Sequence, residues 1–216
     1  MLDEQQKPLG LGNESASPEG YFRDLSRLIP KLPYAAIDSI IDSLLQTFKK
    51  DGTVFVFGNG GSAASASHMM VDMNKGTADA AQAKRLKVIA LTDNVPLLTA
   101  WANDASYEHV FSEQLKNFVQ EGDVAFAISA SGNSANVLLA LQTARERGAS
   151  TLGLTGYEGG KMKSLCGICA VVPSDNMQMI EDMHHAMLHS IFTVVRERLR
   201  SAKPFATAAS AGQKRK

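Results

Sequence analysis

Five short, mostly apolar runs recur along the chain: Val54-Phe55-Val56-Phe57, Lys87-Val88-Ile89-Ala90-Leu91, Val124-Ala125-Phe126-Ala127-Ile128, Thr151-Leu152-Gly153-Leu154 and Ile168-Cys169-Ala170-Val171-Val172. They are rich in β-branched and aromatic residues and too short for helices, which predicts strands at 53–57, 87–91, 123–128, 150–154 and 168–172. Between them, apolar positions recur at helical spacing and predict helices over 62–74, 95–102, 107–119, 134–147 and 177–200. Near-continuous apolar strands alternating with helices describe a parallel sheet buried on both faces. The expected fold class is α/β, a three-layer α/β/α sandwich on a five-stranded parallel sheet.

Ahead of the first strand, 21–50 reads as helix in two pieces. Leu25, Leu28, Ile29 and Leu32 make one apolar stripe; Ile37, Ile40, Ile41, Leu44, Leu45 and Phe48 make a second, with Pro30 and Pro33 between them. The second stripe is wide for a helix covering one sheet face, which predicts that part of it packs on another subunit. Residues 1–17 and 201–216 lack periodicity and are expected to be disordered tails, leaving one domain over 18–200 with an N-terminal helical hairpin.

Two strand ends carry turn chemistry. After the first strand, Gly58-Asn59-Gly60-Gly61-Ser62 leads into an alanine-rich helix, so glycines permit close approach of a ligand to backbone N–H groups and the new helix adds unsatisfied donors. The loop lacks the third Gly of a dinucleotide fingerprint and the Lys of a P-loop. After the third strand, Ser129-Ala130-Ser131-Gly132-Asn133-Ser134 crowds three hydroxyls at the strand's carboxyl end, and Ser134 is placed to cap the next helix. Both loops fall on the edge of a parallel sheet where ligands bind. Hydroxyls and helix N–H groups suit a phosphate dianion without lysine or arginine.

Four of the five histidines sit on two predicted helices beside carboxylates. His68 and Asp72 are i, i+4 on the helix leaving the first loop. Glu181, His185 and His189 run i, i+4, i+8 along the last helix, with His184 on the flank. Such a set could hold zinc or a related divalent ion, or act as an acid–base pair.

Composition narrows the classes. The 216 residues are 44% apolar and 20% charged, with Lys+Arg and Asp+Glu each totalling 22, so no global field recruits nucleic acid or an anionic membrane. No apolar run approaches the roughly 20 residues of a membrane span. The first residues lack a signal-peptide pattern and there are only two cysteines, so a cytoplasmic location is expected. Those two form Cys166-Gly167-Ile168-Cys169, half of a zinc site at most, and read as small core hydrophobes.

In order along the chain, Gly58-Asn59-Gly60-Gly61-Ser62, Ala102-Asn103-Asp104, Ser129-Ala130-Ser131-Gly132-Asn133-Ser134, Leu154-Thr155-Gly156 and Val172-Pro173-Ser174 resemble the sugar isomerase (SIS) domain family, in its phosphoheptose isomerase branch. The resemblance covers roughly residues 20–198. It implies a flavodoxin-like sandwich and a homotetramer whose active sites lie at subunit interfaces. It also implies interconversion of sedoheptulose 7-phosphate with a heptose 7-phosphate aldose through an enediol. Carried over, Asn59, Gly60, Gly61, Ser62, Asn103, Asp104, Ser129, Ala130, Ser131, Ser134 and Glu181 contact the sugar phosphate. His68, Asp72, Glu181 and His189 hold a divalent metal, zinc first, while Asp72 and His189 are the catalytic pair.

The departures from the family pattern fall at the chemistry. Asp72 stands where the family has Glu, Glu181 where it has Gln, Lys75-Gly76 where it has an Arg, and Ala130 where it has a hydroxyl. Two His and one Glu leave a divalent site at net +1, whereas His68, Asp72, Glu181 and His189 would leave it neutral and polarise a carbonyl less. Two other readings stay open. One is a non-catalytic phosphosugar-binding or regulatory protein resembling the DnaA initiator-associating protein, with which 93–95 and 100–104 share residues. The other is an isomerase acting on a different phosphosugar.

Overall fold

The computed structural model describes residues 17–78 and 84–201, so the tails expected at 1–17 and 201–216 lie almost wholly outside the described residues. Five parallel strands, β1 (Thr53–Gly58), β2 (Lys87–Ala90), β3 (Val124–Ser129), β4 (Ser150–Thr155) and β5 (Ile168–Val171), pair in the order β2-β1-β3-β4-β5. This is the flavodoxin-like order, and its direction of winding reverses between β1 and β3. Each predicted strand is present, displaced by no more than a residue at either end.

Successive strand residues point to opposite faces, and each face has its own core. Val54, Val56, Val124, Phe126, Ile128, Leu152 and Leu154 face α1 (Pro18–Leu28), α2 (Tyr34–Lys49), α3 (Gly61–Gly76) and α8 (Met177–Ser201). Phe55, Phe57, Ala125 and Ala127 face α5 (Ser112–Phe118) and α6 (Ala135–Glu146), with Leu98 and Trp101 of α4 (Val95–Asp104) and Met162 of α7 (Met162–Leu165) packed on the same side. The three layers follow from near-continuous apolar strands that leave neither face for water.

Two local expectations are corrected, and one element carried no signal in the sequence. The helix predicted over 107–119 is a 3-10 turn at Tyr107–His109, held by Ser106 Oγ to His109 Nδ1 at 2.9 Å, followed by α5. The single turn α7 is too short to show a helical period. The wide stripe of α2 needs no second subunit: Ile37, Ile40, Ile41, Leu44 and Phe48 are at most 5% exposed within this one chain, because α2 lies against α8 as well as the sheet. Tyr21 joins the same layer by donating to Asp182 Oδ2 at 2.6 Å.

α3 and α8 approach closely. A Cβ at Gly76 would come within 2.4 Å of the Phe192 ring, so a larger residue there would have to displace that ring. This is one of the contacts that hold α3 against α8. The cysteines are partly buried free thiols packed on the second core, Cys169 within β5 and Cys166 just ahead of it. Among the described residues, no helix is long and apolar enough to cross a membrane.

Candidate active site

The loops after β1 and β3 leave adjacent strands at the point where the winding reverses, so they open onto one crevice. Gly60 adopts φ 55° and ψ −122°, a conformation that side chains resist, and α3 starts at Gly61, one residue earlier than the hydroxyl at Ser62. No side chain of the N-cap satisfies the first turn of α3. Ser134 is the N-cap of α6, as expected, but its Oγ makes no capping bond. That hydroxyl and the Ala135 and Asn136 N–H groups are donors in want of an acceptor, whereas the Val137 N–H donates to Asn136 Oδ1 at 2.9 Å.

Asn59, Ser62, Ser129, Ala130, Ser131, Ser134 and Glu181 line a depression of about 140 Å³, joined by Ile128 and Met177. Seven of the expected sugar-phosphate residues therefore meet. The lining contains no lysine or arginine, so an anion here is held by dipoles. A larger cavity of about 490 Å³, lined by Arg145, Ser150, Thr151, Cys166 and Gly167 among others, opens at the amino ends of β4 and β5. It lies at the end of the sheet opposite both loops, where ligands of such folds do not bind.

Asn59 and Asn136 lock the two loops together. Asn59 Nδ2 donates to Asn136 Oδ1 at 2.9 Å and Asn136 Nδ2 donates back to Asn59 Oδ1 at 2.8 Å. Tyr107 Oη adds a bond to Asn59 Oδ1 at 3.1 Å. Asn59 keeps one N–H for a ligand. Sequence reasoning missed Asn136 and Tyr107, since neither belongs to a Gly- or Ser-rich run. Asn103 and Asp104 are exposed at the end of α4 and bonded to each other, Asn103 Nδ2 to Asp104 Oδ1 at 2.7 Å. They are not among the residues lining the depression.

A second group gathers between α3 and α8. His68 Nε2 lies 3.2 Å from His189 Nε2, and Asp72 Oδ2 lies 3.5 Å from the first and 3.6 Å from the second. His185 completes the group: His68, His185 and His189 each offer a nitrogen within 4.8 Å of the other two. Their rings meet edge to face, with centroids 4.6–5.0 Å apart. Burial holds His185 below the usual imidazole pKa, helped by the neighbouring His189 and His68 and opposed by Asp72 and Asp182. The expected Glu181 is outside this group, with its carboxylate oxygens against the α3 N-terminus, 3.1 and 3.2 Å from where a Gly61 Cβ would stand.

The donor set fits a divalent cation. Ligand atoms bound to tetrahedral zinc at 2.0–2.2 Å stand about 3.3–3.6 Å apart, close to the 3.2, 3.5 and 3.6 Å edges of the His68–His189–Asp72 triangle. Imidazole and carboxylate are also the donors zinc takes. Next to His185 on α8, His184 is 1% exposed and neither ring nitrogen has a hydrogen-bond partner. Burial lowers its pKa to about 4, with only the Thr155 backbone acting the other way.

A doubly wound sheet with two hydroxyl- and glycine-rich loops at its switch point, beside a histidine–carboxylate cluster, defines an anion-binding α/β domain equipped for acid–base or metal chemistry. Comparison with known proteins gives that class its family. The SIS domain model matches residues 20–156. A phosphoheptose isomerase of Helicobacter hepaticus is 39% identical over 160 residues, 74% of this chain and 81% of its own. One from Rhodospirillum rubrum is 43% identical over 153 residues, 71% and 80% of the two chains. The solved phosphoheptose isomerase of Neisseria gonorrhoeae superposes with a TM-score of 0.77 at 31% identity, covering 83% of this chain and 96% of that one. The chain belongs to the SIS-domain family, in its phosphoheptose isomerase branch.

Proposed function

We propose that the chain is an aldose–ketose isomerase interconverting sedoheptulose 7-phosphate and a heptose 7-phosphate aldose through a cis-enediol(ate). One observation carries the reading: the helix launched from the first loop brings Asp72 Oδ2 to within 3.5 and 3.6 Å of His68 and His189, on the two helices, α3 and α8, that also lend Ser62 and Glu181 to the hydroxyl-lined depression. Relatives named phosphoheptose isomerase at about 40% identity support the substrate.

In this reading Ser129, Ser131 and Ser134 anchor the phosphate, with the α6 N-terminus adding its dipole. Asn59, Gly60 and Gly61 hold the sugar end, with Ser62 behind them, and the exposed Asn103 and Asp104 are assigned to the open-chain hydroxyls. Asp72 takes the proton from C1 or C2 and returns it to the other carbon. His189 protonates or polarises the sugar oxygen, either directly or as a holder of the divalent ion. A bound divalent ion, zinc first, would supply Lewis-acid polarisation of the carbonyl. The reading includes a cytoplasmic homotetramer with active sites at subunit interfaces, supported by the small volume one chain encloses and by the free thiols.

Incubation with sedoheptulose 7-phosphate, with and without zinc, followed by product separation tests the reading. Formation of the aldose supports it. A chain that binds the sugar phosphate and returns it unchanged is the non-catalytic regulator instead.

A further inference from the structure

We propose that His185, rather than Glu181, completes the divalent-cation site, giving a ligand set of His68, Asp72, His185 and His189, and that Glu181 faces the bound sugar phosphate. The proposal rests on the isomerase reading only for the role of that sugar phosphate; the ligand set stands on geometry.

Glu181, His185 and His189 occupy successive turns of one face of α8, each turn rising about 5.4 Å. Two of these turns bring a nitrogen to the His68 that α3 presents. The turns that do so carry His185 and His189: their nitrogens lie within 4.8 Å of each other and of His68. Three imidazoles around one tetrahedral zinc place their ring centroids about 5 Å apart, and the three rings here stand at 4.6, 4.6 and 5.0 Å. The three rings stand at 63–90° to one another rather than stacked face to face.

Glu181, one turn removed, is committed elsewhere. Its carboxylate rests against Gly61 and lines the depression with Ser129, Ser131 and Ser134. The charge balance agrees with this division. A divalent ion with Asp72 and three neutral imidazoles keeps a net +1, whereas Glu181 in place of His185 would cancel it. Asp72 turns Oδ2 toward His68 and His189, which leaves Oδ1 as the proton acceptor.

The test uses the full chain, stripped with a chelator and reloaded. Zinc affinity is read by competition with a chromophoric chelator. The geometry is read from visible absorption of the cobalt(II) form. His185→Leu and His185→Gln should each weaken zinc by more than about 100-fold, beyond the loss expected of a supporting residue, and should lose the intense four-coordinate cobalt bands. Glu181→Gln should keep both the affinity and the bands while shifting KM for the sugar phosphate. Equal unfolding midpoints of the metal-free forms establish that all variants fold. Loss of zinc in Glu181→Gln with retention in the His185 variants overturns the proposal, as does a wild-type chain that binds no zinc. A wild-type chain that binds zinc through His185 and forms no aldose refutes the isomerase reading and leaves the ligand set standing.

Discussion

Asn59 and Asn136, separated by 77 residues, exchange two hydrogen bonds of 2.9 and 2.8 Å across the point where the sheet reverses its winding. Each amide orients the other, so the loop after β1 and the loop after β3 are tied into one unit. Asn136→Ala removes both bonds, leaving Asn59 Oδ1 only its bond from Tyr107 and the Val137 N–H without its acceptor. Its unfolding free energy, read from denaturant titration, should fall by about 1–3 kcal/mol. KM for the sugar phosphate should rise by about tenfold or more, each tenfold being 1.4 kcal/mol. An unchanged KM would show that the loops hold their spacing without the pair.

Ser134→Ala separates ligand binding from helix capping. An N-cap serine usually contributes about 1 kcal/mol to stability, but Ser134 Oγ makes no capping bond. The melting temperature should therefore stay put. Affinity for the sugar phosphate should drop about 10- to 100-fold, the worth of a hydrogen bond to a charged group. Calorimetric titration and a thermal melt on the same sample decide it.

Asp72→Asn keeps the shape of the side chain and removes its basicity. Turnover should fall by about 10²–10⁴-fold, the range for a lost general base, with the far-UV spectrum and the unfolding midpoint retained. His189→Ala should behave alike in turnover. Normal rates in both variants would transfer the proton to another group.

His184 makes stability depend on pH. Its folded-state pKa near 4 lies below the ordinary 6.5, so the unfolded chain binds the proton more readily. Stability should be full above pH 6.5 and should decline as pH falls toward 4. At the acid end this one residue accounts for about 3 kcal/mol, from 1.36 kcal/mol per pKa unit. His184→Leu should flatten that decline in urea midpoints measured between pH 7 and pH 4.5.

Asp123 anchors the start of the sheet. Its buried carboxylate accepts from the Thr53 N–H at 2.8 Å through Oδ1 and from the Gln120 N–H at 2.9 Å through Oδ2. Asp123→Ala strands both donors and should destabilise the fold by about 2–5 kcal/mol, read as a shift in denaturant midpoint. Turnover per folded molecule should be unaffected, because the residue lies at the amino end of β3.

The layers and the two loops were legible because they rest on local patterns: apolar runs of strand length, and glycine or hydroxyl clusters at their ends. What local pattern does not carry is the offset between elements. Glu181, His185 and His189 share one helical face in the sequence. Which of them meets His68 depends on how far α8 slides along α3, set by contacts such as Phe192 on Gly76. Resemblance to the family pointed to Glu181, whereas the distances gather His185. The pairing of Asn59 with Asn136 was hidden for the same reason. The breadth of the α2 stripe was visible, but a second helix of the same chain and a neighbouring subunit leave the same imprint on a sequence.

The lining without lysine or arginine bears on what the crevice turns away. A cradle of hydroxyls and peptide dipoles beside Glu181 offers no strong field to bulk anions, so nucleotides and polycarboxylates gain little from entering it. On the proposed reading, occupancy then depends on a phosphate matched to the hydroxyls and a polyol extending toward the histidines. Because few counterions are displaced on binding, affinity should vary little with ionic strength. A metabolite present at low concentration among abundant competing anions would still find its site.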